Sequence, residues 1–139
     1  MENQEKLDYT GLSPLQLAEK AALALYGKGG FQLKMYHVED TTVITDYYVI
    51  ATGRSTTHIK AWADEVCYRL DLGGVKAAHV EGRDAGSWVL LDFGSVIAHI
   101  FARDARDYYN LERLLPEESE IDLAALLKAA DDANKVSEN

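Results

Sequence analysis

The residues in this chain that could do chemistry are few and scattered. His37, His58, His79 and His99 fall at no metal-ligand spacing, and Cys67 is the lone cysteine. Zinc needs several closely placed Cys, His or carboxylate ligands, so no metal site is indicated. No serine sits in the Gly-x-Ser-x-Gly elbow of a hydrolase. Asp64 and Glu65 are adjacent on a helical stretch. Neighbouring helical positions point about 100° apart, so the two carboxylates do not share a ligand easily. Neither a metal nor a cofactor is expected.

The enzyme chemistry that comes nearest is nucleotidyl transfer. It takes a Gly-Ser after the first strand and two metal-binding acids one residue apart on a neighbouring strand. Arg54 splits Gly53 from Ser55, and Asp92-Phe93-Gly94 offers one carboxylate. Two would be needed to hold magnesium. A nucleotidyltransferase-like enzyme therefore stays as the alternative to a binding module.

Charge narrows the partners. Fourteen Lys and Arg against twenty-three Asp and Glu leave a net charge of −9. Gripping a nucleic-acid backbone takes clustered cations, and no basic stripe is present, so little direct nucleic-acid contact is expected. A field of this sign steers a basic partner protein, although solubility alone also explains it. No apolar run nears the ~18 residues of a membrane span. The acidic start, Met1 to Lys6, is neither a secretory signal nor a transit peptide, and one cysteine suits the reducing cytoplasm.

The elements that must position these residues follow from periodicity. Residues 1–12 read as a flexible leader. Ser13 and Pro14 open a helix whose apolar stripe is Leu17, Ala21, Ala24 and Leu25. Gly27, Gly29 and Gly30 stop it; they lack the Lys-Ser/Thr of a phosphate loop. Strands are predicted at Lys34–Val38 and Val43–Thr52, and a second helix over Ser55–Leu72 on Ile59, Trp62, Ala63, Val66 and Leu70. Cys67 borders that stripe as a small buried residue. Further strands follow at Ala78–Glu81, Trp88–Phe93 and Val96–Phe101. After Pro116 the chain turns acidic, and Ile121–Ala133 has helical spacing. The order implies an α/β fold, a mixed β-sheet of about five strands packed with helices.

The hairpin is the most informative element. Gly94-Ser95 fits a type II′ turn, which sets Phe93 opposite Val96 and Trp88 opposite Phe101. One face then carries Val89, Leu91, Phe93, Val96, Ala98 and Ile100, all apolar. The other carries Trp88, Leu90, Asp92, Ile97, His99 and Phe101. Aromatic anchors among a few polar groups suit a protein-docking face. The alternative is that later helices cover this face and Asp92 pairs with His99.

Several ordered motifs carry a family resemblance across Ser13 to Leu115. They are Asp46-Tyr47-Tyr48-Val49-Ile50-Ala51-Thr52-Gly53-Arg54-Ser55, then His58, Ala61 and Ala63-Asp64-Glu65-Val66. Glu81-Gly82, Gly86-Ser87-Trp88-Val89-Leu90-Leu91-Asp92-Phe93-Gly94, His99-Ile100-Phe101 and Arg106-Asp107-Tyr108-Tyr109-Asn110-Leu111-Glu112 continue the series. The set resembles the ribosomal silencing factors, the Iojap family. That resemblance implies a fold like a minimal nucleotidyltransferase without its activity, and often a homodimer. It also implies binding to the large ribosomal subunit through ribosomal protein fourteen, which blocks joining of the small subunit and lowers translation when nutrients are short. Carried over by motif, the partner-facing residues are Trp88, Leu91, Asp92, Tyr108, Tyr109 and Leu111. The domain so defined is 13–116, leaving 117–139 as an acidic tail. The chain departs from the pattern at Ser95, where an acid is usual, and at Leu115, where a tryptophan is common. The hairpin register sets Leu91 on the core face, against the resemblance.

Overall fold

Ser13 caps the first helix as its chemistry predicts. Its hydroxyl accepts from the Gln16 amide while the Gln16 side chain reaches back to the Ser13 N–H, a reciprocal capping box. This helix, α1, spans Pro14–Gly27, and Gly29 beyond it takes a left-handed φ of 89°. The computed structural model describes residues 7–138. After α1 come β1 (Phe31–His37), β2 (Tyr47–Gly53), α2 (Thr56–Leu72) and β3 (His79–Glu81). Then follow β4 (Trp88–Asp92), β5 (Val96–Ala102), α3 (Arg103–Tyr109), two short 3-10 turns, β6 (Glu120–Ile121) and α4 (Ala124–Glu138).

The strands form one mixed sheet in the order β3-β4-β5-β2-β1-β6. β2 and β5 run parallel at its centre, and every other pair is antiparallel. One face packs on α1 and α2: Leu17, Ala21, Leu25, Ile59, Trp62, Val66 and Leu70 meet Val49, Ala51, Val89, Leu91, Ala98 and Ile100. The other face holds a smaller core of Tyr36, Val38, Ile50 and Phe101, covered by Ala105, Leu111 and Leu115. Central strands buried on both sides carry apolar runs without alternation, as Tyr47–Ala51 does and as Val96–Phe101 does apart from His99.

β1 begins at Phe31 rather than Lys34, other strand ends move by one residue, and two further differences have a clear cause. β2 begins at Tyr47 rather than Val43, and Val43 and Ile44 are exposed in the loop before it. Tyr47 is the first residue of β2 with a partner on β5, opposite Val96, so β-branched residues upstream have no ladder to join. Ile121 was expected to open a helix, but it pairs with Met35 in β6 and adds a sixth strand. A two-residue strand is too short to leave an alternating pattern. The Asp122 carboxylate then accepts from the Ala124 amide and α4 starts there.

The residues set apart as leader and tail make contacts of their own. The leader expected at 1–12 falls partly outside the described residues, but Tyr9 packs on the core and its amide donates to Gly73 O. In 117–139, Leu123 is buried in the main core and the Tyr26 hydroxyl donates to Asp131 on α4.

The turn into β4 depends on Gly82. Its φ is +81°, and a Cβ there would come within 2.0 Å of the Trp88 carbonyl oxygen. Gly82→Ala should therefore destabilise the domain by about 2 kcal/mol. A thermal melt unchanged from the parent would show that this turn is not held as described.

Candidate functional site

The hairpin register places the residues expected to dock a partner on β4. Trp88 pairs with Phe101, Leu90 with His99, and Asp92 with Ile97. Gly94 has φ +91°, the positive φ that the first loop position of a II′ turn needs, and Phe93 N donates to Val96 O at 2.8 Å across the two-residue loop. Asp92 is half-buried, and its Oδ1 accepts from the Gly94 amide at 2.8 Å, so it holds the turn instead of pairing with His99.

The second face of the hairpin divides between its strands. On β5, Ile97, His99 and Phe101 are buried, whereas on β4 Trp88, Leu90 and Asp92 stay half-open. It is therefore neither a free surface nor a sealed core. Trp88 links the two zones. Its ring lies 4.8 Å from Phe101 below and 4.7 Å from Tyr109 above. Tyr108 meets Tyr109 edge-on at 5.1 Å and is 81% exposed. Leu111, half-buried, packs against the Phe101 cluster. A shallow cavity of about 220 Å³ beside the indole is lined by Glu81, Gly82, Trp88 and Leu90.

Of the six residues carried over, five gather on this side and Leu91 does not. Leu91 faces Ala98 and the helices with no exposed surface. Alternation along β4 sends it opposite to Trp88, Leu90 and Asp92, so it supports the strand and touches no partner in this conformation. The register argument, and not the resemblance, places it.

Arg106 and Tyr48 are supporting residues whose roles the sequence did not reveal. Arg106 is buried, donating to Glu112 Oε2 at 2.7 Å and to Thr52 Oγ1 at 3.0 Å. It thereby ties the seven-residue α3, with Tyr108 and Tyr109 at its end, to both the sheet and the following turn. Its only sequence signal was its place in the motif with those tyrosines. Tyr48, on the next strand, meets the His99 ring edge-on at 4.7 Å.

His99 orients the anchor. Trp88 Nε1–H donates to His99 Nδ1 at 3.1 Å, so the neutral ring carries its proton on Nε2. That Nε2 is buried without a hydrogen-bond partner. Burial holds the imidazole's pKa down, from 6.5 to about 3. Between those values the unfolded chain binds a proton that the folded one refuses. Stability should thus fall as pH drops from 6.5 towards 3, by up to about 1.4 kcal/mol per pH unit from this group. Denaturant melts across that range should show His99→Gln with a shallower acid loss than the parent. An identical slope would mean that His99 does not titrate as its burial requires.

The remaining ionisable groups are paired on the surface or dispersed. Asp64 is held below its usual range by Arg83, which binds it through two nitrogens, and Glu65 by Arg69. Burial raises the thiol of half-buried Cys67. Among the described residues, no group of three or more His, Cys, Asp or Glu is placed to hold a metal ion.

Comparison with known proteins agrees with this geometry. A ribosomal silencing factor of Bacillus subtilis is 36% identical over 94 residues, covering 68% of this chain and 80% of that one. Another from Halalkalibacterium halodurans is 29% identical over 116 residues, covering 84% and 99%. A crystal structure of a protein from Chromobacterium violaceum matches with a TM-score of 0.73 at 31% identity, covering 75% of this chain and 87% of that one. The family model described as ribosomal silencing factor during starvation matches residues 12–139, which takes in the segment after Pro116 as well. The chain belongs to the ribosomal silencing factor family.

Proposed function

We propose that this chain binds the large ribosomal subunit through its ribosomal protein fourteen, blocks joining of the small subunit and so represses translation when nutrients are short. It catalyses no reaction in this role. The observation that carries the reading is the half-open ring ladder of Trp88, Tyr109 and Tyr108. Rigid aromatic anchors bordered by Asp92 and Leu111 are the composition of an interface hot spot. A net charge of −9 steers such a face towards a basic ribosomal protein, and away from RNA over most of its surface. The same reading puts the protein in the cytoplasm, with a homodimer as its free form. Docking then rests on the domain expected at 13–116.

Pelleting through a sucrose cushion tests the partner. The protein should sediment with purified large subunits and not with small ones. Association only with small subunits would remove the reading. Asp92→Lys should weaken the complex and flatten its salt dependence, because an interfacial acid acts chiefly through on-rate and screening.

A further inference from the structure

Two cations of this acidic chain are gathered on one ring. The guanidinium carbon of Arg54 lies 5.3 Å from the Phe31 ring centroid, and that of Arg103 lies 5.2 Å from it. Topology brings them together. β2 and β5 are parallel neighbours with Gly53 opposite Ala102, so the residue after each emerges at the same carboxyl end. Open α/β sheets take ligands at the carboxyl ends of their parallel strands. The positive N-terminus of the 17-residue α2 begins beside Arg54, at Thr56.

Among the described residues Arg54, Arg103 and Arg113 have no carboxylate partner, and of these only Arg54 and Arg103 share a ring. Arg69, Arg83 and Arg106 are neutralised by Glu65, Asp64 and Glu112. Among the described residues, Arg54 and Arg103 form no ion pair and donate no hydrogen bond, although Asp104 adjoins Arg103. Both are exposed. Stacking on an aromatic ring attracts each cation modestly and leaves its N–H donors unused. Two like charges held close together with unused donors are completed by an anion that guanidinium forks can grip.

We propose that Arg54 and Arg103, stacked on Phe31 at the carboxyl ends of β2 and β5, clamp the phosphate backbone of the large subunit's RNA. This rests on the large-subunit reading above and extends it. A phosphodiester backbone suits this pair on two counts. Guanidinium groups bind phosphate oxygens bidentately. A chain of −9 is also repelled by RNA elsewhere, so close approach needs a local unpaired cation cluster.

The experiment compares the full chain with Arg54→Gln/Arg103→Gln, and with Arg69→Gln as control. Affinity for purified large subunits is measured between about 50 and 200 mM salt. The double variant should bind about tenfold more weakly at the low end, and its log–log salt slope should be shallower by about 1.5, the share of two phosphate contacts. Hydroxyl-radical footprinting of the subunit RNA, run in parallel, should show one backbone segment protected by the parent and the control but not by the double variant. An unchanged slope with parent-like binding overturns the clamp and leaves the large-subunit reading standing. A shallower slope with no lost RNA protection assigns the arginines to an acidic protein and overturns it equally. A parent chain that fails to bind large subunits removes both.

Discussion

Trp88→Ala should weaken binding to the large subunit by about thirtyfold or more, roughly 2 kcal/mol, while the domain stays folded. The indole is half-exposed and touches both the open tyrosines and the buried ring of Phe101. Truncation removes the anchor and also leaves Tyr109 without its neighbour, so the ladder loses its fixed shape. His99 loses the donor to Nδ1, which adds a smaller cost to stability. Circular dichroism and pelleting together decide the case. An unfolded variant would make Trp88 a core residue. A folded variant that binds at full strength would detach the aromatic face from function.

Leu91→Ala should do the reverse. Leu91 has no exposed surface and lies in the main core between β5 and the helices, so its truncation should cost about 3 kcal/mol by transfer and cavity terms. For a domain of this size that lowers the melting temperature by about 10 °C. At a temperature where the variant remains folded, its affinity for large subunits should stay within about twofold of the parent. A stable Leu91→Ala that has lost binding would mean that β4 twists this residue towards the partner.

The contrast between these neighbours shows what was legible in the sequence. Gly94-Ser95 determined the turn and hence the register, and with it the facing of every residue from Trp88 to Phe101. Local chemistry is enough where a two-residue loop leaves one solution. The limit of β2 was not legible. Val43 and Ile44 have strand propensity, and only the place where β5 begins decides that they stay outside the ladder. The half-covering of the hairpin's second face was hidden for the same reason. It depends on how α3 returns across the sheet, which Arg106 determines through nearby Glu112 and through Thr52, far back in the chain on β2. β6 was missed because its two residues gain strand geometry from Met35 and Tyr36 and not from their own pattern.

Anti-association is the central claim, and one gradient tests it most directly. Purified large and small subunits are mixed under conditions that favour joining, with and without an excess of this protein, and separated by sedimentation. The protein should shift material from joined ribosomes to free subunits and comigrate with the large one, and Trp88→Ala should restore joining. Unchanged joining in the presence of protein bound to the large subunit would contradict the claim.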